Sequence, residues 1–229
     1  METAVVLVSG GVNSLVATGV AAKAYTPALM HVSFGQRTAE RELACFRGIC
    51  EHYKPKHQIA VPMPHFESVG GNARVDKRLP IEDARAIGAD PPSTYVPGLI
   101  PTLLGLALNW ATVIGARRIF IGASENDGPP APAKSCLFPD HRRQVYHLYN
   151  QLIDMATGAG VKIELETPLV EMMRGEVVRL GRHLAVPFEA SWSCLRSGEA
   201  PCGMCYGCAS RAQGFVTAAV PDPIMLEEE

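Results

Sequence analysis

An apolar run, Ala4 to Val8 (AVVLV), turns through Gly10-Gly11 into Leu15 to Lys23 (LVATGVAAK), and no other stretch limits the possible folds as strongly. The β-branched run suits a strand buried on both faces, and the residues after it have helical composition. A strand that enters a helix through two glycines presents free backbone N–H groups and the positive end of the helix dipole to an anion. Phosphate is the expected occupant. Gly10 and Gly11 permit close approach, while Ser9 and Ser14 add hydroxyl donors. Neither the Walker A spacing with its lysine nor G-x-G-x-x-G is present, so this is a third type of phosphate loop or an ordinary tight connection.

The same strand-to-helix rhythm runs on through the chain. Ala28–Phe34 (ALMHVSF), Lys56–Val61 (KHQIAV), Arg118–Gly122 (RIFIG) and Lys162–Leu165 (KIEL) read as strands. Between them, Thr38–Tyr53 places Leu43, Phe46, Ile49, Cys50 and Tyr53 at helical spacing, with Thr38 as N-cap. Further helices are expected over Gly98–Gly115, Arg142–Thr157 and Arg174 to about Leu184. This alternation predicts an α/β fold, a parallel sheet with helices on both faces. Ligands of such sheets collect at the carboxyl ends of the strands, which gathers Ser9–Ser14, Phe34–Arg37 and the segment after Gly122 around one cleft.

Two stretches lack periodicity. Residues 62–97 are rich in proline and glycine and read as a structureless lid over the substrate, or as a tolerated insertion without a role. Residues 123–140 are again proline-rich. There Glu125 and Asp127 stand just beyond a strand end, where carboxylates could hold magnesium or meet a substrate amine; Asp127-Gly128 is equally suited to a plain turn.

Seven cysteines, four of them crowded near the C-terminus, fit a metal site in a reducing compartment better than a disulfide framework. Cys194-x7-Cys202-x2-Cys205-x2-Cys208 supplies four thiolates, the complement of a closed tetrahedral zinc site with a structural role. An iron–sulfur cluster or redox-active thiols are the competing readings. Metal would stabilise a tail with little core of its own. Cys45 and Cys50 read as packing residues, and Cys136 stands apart. With 21 basic and 23 acidic residues the net charge is -2, so no basic field argues for nucleic acid or a membrane surface. No apolar stretch reaches spanning length and no leader pattern opens the chain, so a cytoplasmic protein with a small-molecule substrate is expected.

Ser9 to Ser14 resembles the S-G-G-x-D-S signature of PP-loop ATP pyrophosphatases, with Asn13 at the aspartate position. The wider chain resembles the 7-cyano-7-deazaguanine synthase family. The matches are Gly35-Gln36-Arg37, Tyr95-Val96-Pro97-Gly98, Ile119–Gly122, Thr167-Pro168-Leu169, Trp192-Ser193-Cys194 with the later cysteines, and Asp222-Pro223. The resemblance implies an adenine-nucleotide alpha hydrolase-like (PP-loop) domain over 1–185 and a zinc-binding segment over 186–229. It implies ATP, Zn2+ and Mg2+, and adenylation of the carboxylate of 7-carboxy-7-deazaguanine followed by C–N bond formation with ammonia, giving amide and then nitrile. Val8, Ser9, Gly10, Gly11, Val12, Asn13 and Ser14 would hold the nucleotide, with Asn13, Arg37 and Arg174 at catalytic positions. Gln36, Tyr95, Glu125 and Asp127 would meet substrate, and Cys194, Cys202, Cys205 and Cys208 the metal.

Departures from the family accompany these matches. Asn13 replaces a carboxylate, Arg174 a lysine, and Leu99-Ile100 the Arg-Asn that follows the family's Pro-Gly; the Tyr-Pro-Asp-Cys-Arg pattern is not found after Asp127. They point to a divergent paralogue, of the kind found in anti-phage defence systems, that joins the activated deazaguanine to the amine of a partner protein. A catalytically silent nucleotide-binding subunit, with Asn13 as the mark of an inactivated variant, fits the same exchange. A homodimer is compatible with either.

Overall fold

The apolar runs become five strands of one parallel sheet in the computed structural model, which describes residues 1–126, 137–158 and 160–225. The strands are β1 (Thr3–Leu7), β2 (Thr26–Ser33), β3 (His57–Pro62), β4 (Arg118–Ile121) and β5 (Glu164–Glu166), in the order β3-β2-β1-β4-β5. Connections step one way from β1 to β3 and resume on the other side at β4. The direction reverses between β1 and β4, where a parallel sheet opens a crevice at its carboxyl edge. Central β1 sets Leu7 opposite both Met30 and Ile121.

Side chains of β1 alternate between two cores. Ala4, Val6 and Val8 join the helices α1 (Val12–Ala24), α2 (Ala39–Tyr53), α6 (Arg174–His183) and α7 (Tyr206–Ala218). Val5 and Leu7 face α4 (Leu99–Ile114) and α5 (Arg143–Ala156), with the short α3 (His65–Val69) at the edge of the same core. Both faces are therefore covered, which is why β1 carries no polar alternation.

The helix boundaries follow their end residues. Gly98 and Gly115 bracket α4 with φ of +76° and +67°, left-handed conformations that favour glycine. Thr38 holds the N-cap position of α2, but its hydroxyl donates to Glu42 Oε1 at 2.6 Å and not to the helix. The last strand begins at Glu164 and not at Lys162. Arg118 on β4 fixes it by ion pairs to Glu164 (3.1 Å) and Glu166 (3.3 Å).

Two expectations need correcting. The stretch 62–97 contains α3 and a 3-10 turn at Ala84–Ala86, and it is tied down throughout. Arg37 donates to the carbonyls of Asp76 (2.6 Å) and Leu79, and Arg74 pairs with Glu42 at 2.9 Å. Its order comes from side-chain bonds to backbone, which leave no periodic trace. The C-terminal tail also has a core: α7 buries Phe215 against Phe188 (ring centroids 5.0 Å apart), in the cluster shared with α1 and α6.

Candidate functional site

The crevice beyond β1 and β4 encloses about 320 Å³, walled by the loop before α1, the first turns of α4 and α6, Trp192–Leu195 and the head of α7. Of these walls only Trp192–Leu195 is not a strand end or helix start. At its base Gly10 has a φ of +84°, and a Cβ built there would lie 2.9 Å from Glu42 O. Gly11 is the N-cap of the 13-residue α1, whose first turn holds no acidic residue. The helix start is thus open to an anion. Ser9 Oγ donates to Ser14 Oγ (3.1 Å), which donates to Gly11 O (2.9 Å), fixing the turn. Behind it, His31 is fully buried and lies 2.9 Å through Nδ1 from Val8 O. Because a carbonyl only accepts, Nδ1 carries the proton, and desolvation lowers the His31 pKa and keeps the ring neutral.

Asn13 lines the crevice in the first turn of α1. Its backbone rests on β4: a Cβ at Gly122 would fall 2.5 Å from Asn13 C and O. Opposite, Arg174 opens α6, lies over the Tyr206 ring (5.3 Å) and donates to its hydroxyl.

The four thiols of Cys194, Cys202, Cys205 and Cys208 lie within 4.8 Å of one another. Cys202 to Cys208 and Cys194 to Cys205 are each 3.9 Å. Zinc–sulfur bonds of about 2.3 Å in a tetrahedron require sulfurs about 3.8 Å apart, so the set fits that ion. Leu195 N–H and Cys205 N–H donate to Cys205 Sγ (3.4 Å) and Cys202 Sγ (3.3 Å), the outer support such sulfurs need. Hydrogen bonds among the thiols push Cys205 down and Cys208 up. The segment that leads into Cys194 reaches the loop, since Trp192 N–H donates to Gly10 O at 2.8 Å.

The family model described as "Queuosine biosynthesis protein QueC" matches residues 3–219. The chain belongs to the QueC family. It is 40% identical to the 7-cyano-7-deazaguanine synthase of Chlorobaculum parvum and 42% identical to that of Chlorobium phaeobacteroides strain BS1, each over 98% of this chain and 96% of the relative. Among solved structures, NMN synthetase from Francisella tularensis aligns at 14% identity and a TM-score of 0.48, covering 86% of this chain and 68% of that one.

Against the QueC-family pattern, the crevice gathers Val8, Ser9, Gly11, Val12, Asn13, Ser14, Arg174 and Cys194, while other expected contacts are employed elsewhere. Arg37 is engaged by the 76–79 carbonyls and does not line the crevice. Gln36 is buried, with its amide bonded to Phe34 N (2.7 Å) and Glu42 Oε2 (2.9 Å). Glu125 accepts from Arg143 N at 3.0 Å and so serves the start of α5. Tyr95 lies outside the lining and reaches the Phe138 ring, 6.3 Å away; Asp127 and Cys136 lie outside the described residues.

Three features escaped the sequence reading. Phe138-Pro139-Asp140-His141-Arg142 keeps the Pro-Asp and Arg of the Tyr-Pro-Asp-Cys-Arg pattern at their own spacing, after the 127–136 stretch. The pattern is displaced, and the exchanges to Phe and His hide it. Arg74 and Glu42 line the wall as an ion pair that no motif flags. Arg211, also in the lining, is buried against Asp222 (2.6 and 2.8 Å) and donates to Ser191 Oγ at 2.8 Å. The signal that could have found it is the Asp222-Pro223 match, a carboxylate in search of a cation.

Proposed function

We propose that this chain uses ATP to adenylate the carboxylate of 7-carboxy-7-deazaguanine and then joins the acyl group to an amine, with ammonia giving the amide and then the nitrile. The observation that carries this reading is the single crevice shared by the anion-ready loop and the thiol segment. A carboxylate is a poor electrophile, and linkage to AMP supplies a good leaving group. The N–H groups at the start of α1 donate to the polyphosphate, and Arg174 across the crevice offsets charge on the departing pyrophosphate. Magnesium, when bound, adds to that neutralisation, and Asn13 offers it only a neutral amide. Zinc would be held by Cys194, Cys202, Cys205 and Cys208 and would supply a structural anchor for Trp192–Cys194 beside the loop.

A second reading keeps the first step and changes the acceptor. Leu99, Ile100 and Leu103 make the α4 side of the crevice apolar where the family has Arg-Asn, which favours the amine of a partner protein over free ammonia.

The test uses ATP, magnesium and 7-carboxy-7-deazaguanine with the chain and its Asn13→Asp variant. Pyrophosphate release with formation of the amide or nitrile is expected, faster in the variant. Neither release nor heterocycle binding by both proteins would overturn the substrate; binding without release by the parent chain alone would mark it as a silent subunit.

A further inference from the structure

Joining an amine to an acyl group requires that the ammonium form first lose a proton, so the crevice needs an acceptor. Its described lining offers few. Arg74, Arg174 and Arg211 stay protonated. Glu42 is already saturated: Gln36, Thr38 and Arg74 all donate to its carboxylate, at 2.9, 2.6 and 2.9 Å. Cys194 belongs to the thiol set, and the Tyr206 hydroxyl takes a hydrogen bond from Arg174. His141 is the remaining titratable group in that lining, and histidine is the side chain suited to proton exchange near neutral pH.

Its surroundings suit the task. His141 ends the 3-10 turn Pro139–His141, and its ring lies 5.1 Å from that of Phe138. Phe138 in turn meets Tyr206 at 5.5 Å, which links His141 to the Arg174 side of the crevice. Asp140, adjacent in the turn, has a buried Oδ1 with no hydrogen-bond partner among the described residues. Burial raises its pKa against the opposing pull of His141. From the neighbouring elements, Tyr95 feels the Asp140 charge, α4 contributes no charged residue, and the Arg143 guanidinium at the head of α5 is held by Glu171.

We infer that His141 is the proton acceptor for the incoming amine in the second half-reaction, an inference that rests on the adenylation reading above. The imidazole takes one proton from the ammonium. The freed lone pair forms the C–N bond, the acyl C–O bond breaks, AMP leaves with that electron pair, and the second N–H proton passes to water.

The experiment separates the two halves in the wild-type chain and in H141Q. Adenylation is followed by pyrophosphate release, and single-turnover amide formation is measured with ammonia and with hydroxylamine, an amine already unprotonated at neutral pH. In H141Q, amide formation with ammonia falls by about 10²-fold or more beyond any change in pyrophosphate release, and with hydroxylamine far less. Unaltered amide formation in H141Q, equal loss with both amines, or equal loss of both half-reactions overturns the inference. No pyrophosphate release from the wild type overturns the adenylation reading and this inference with it.

Discussion

The loop before α1 and the four-thiol segment meet across one crevice, yet one is made of backbone and the other of side chains. At the loop the decisive residues are those that lack atoms: Gly10, Gly11 and, just beyond β4, Gly122, where any Cβ would strike Asn13. At the thiols the decisive atoms are the sulfurs, and Cys205 and Cys208 are almost fully buried for them. Damage to the first adds strain to an intact fold. Damage to the second removes the centre around which the segment is arranged.

The difference can be tested from its largest consequence downward. Chelation of the zinc-loaded protein, or Cys208→Ser, should forfeit apparent binding energy on the order of 10 kcal/mol. Zinc per chain then falls to none by elemental analysis, and 194–208 becomes open to protease; an unchanged melting curve would break the comparison. Asp222→Ala comes next. It leaves the Arg211 guanidinium buried without its counter-charge, at a cost of about 3–5 kcal/mol in urea unfolding. Gly122→Ala should cost about 1–3 kcal/mol through overpacking and weaken nucleotide binding while zinc content stays at its full value. If zinc is lost as well, the two regions are one unit and the contrast fails.

The smallest effect belongs to Arg78→Ala, on a surface far from either region's logic. The Arg78 guanidinium bonds the Asp76 carboxylate and holds its pKa at about 2. A depressed carboxylate contributes stability that is present above its unfolded value and lost as pH falls through the folded one. The variant should therefore be less stable than the parent by a small, uniform amount in the mildly acidic to neutral range, converge with it as pH falls from the ordinary aspartate range to about 2, and show Asp76 titrating upward by NMR.

What was legible in the sequence follows the same division. Strands β1, β2 and β4 and the bounds of α4 and α5 were readable because burial on both faces and end residues such as Gly98 and Gly115 leave local marks. The thiol spacing was readable because four ligands of one ion lie close in sequence. Long-range polar bonds were not: nothing near Arg37 announces the carbonyls of Asp76 and Leu79, nor does the helix around Glu42 announce Arg74. Likewise α7 was missed, since YGCASRAQGFVTA is rich in small residues and its apolar face is narrow. Its place in the core comes from Phe215 and Ala218 meeting α6, a tertiary fact.

The buried link between Arg211 and Asp222 gives the last turn of the chain a say in the crevice. A protein cut just ahead of residue 222 would keep every loop glycine and every cysteine, yet a bare guanidinium would face Ser191 and the crevice interior. Shortening or fusing that end is thus an intervention at the ligand cleft, carried out from outside it.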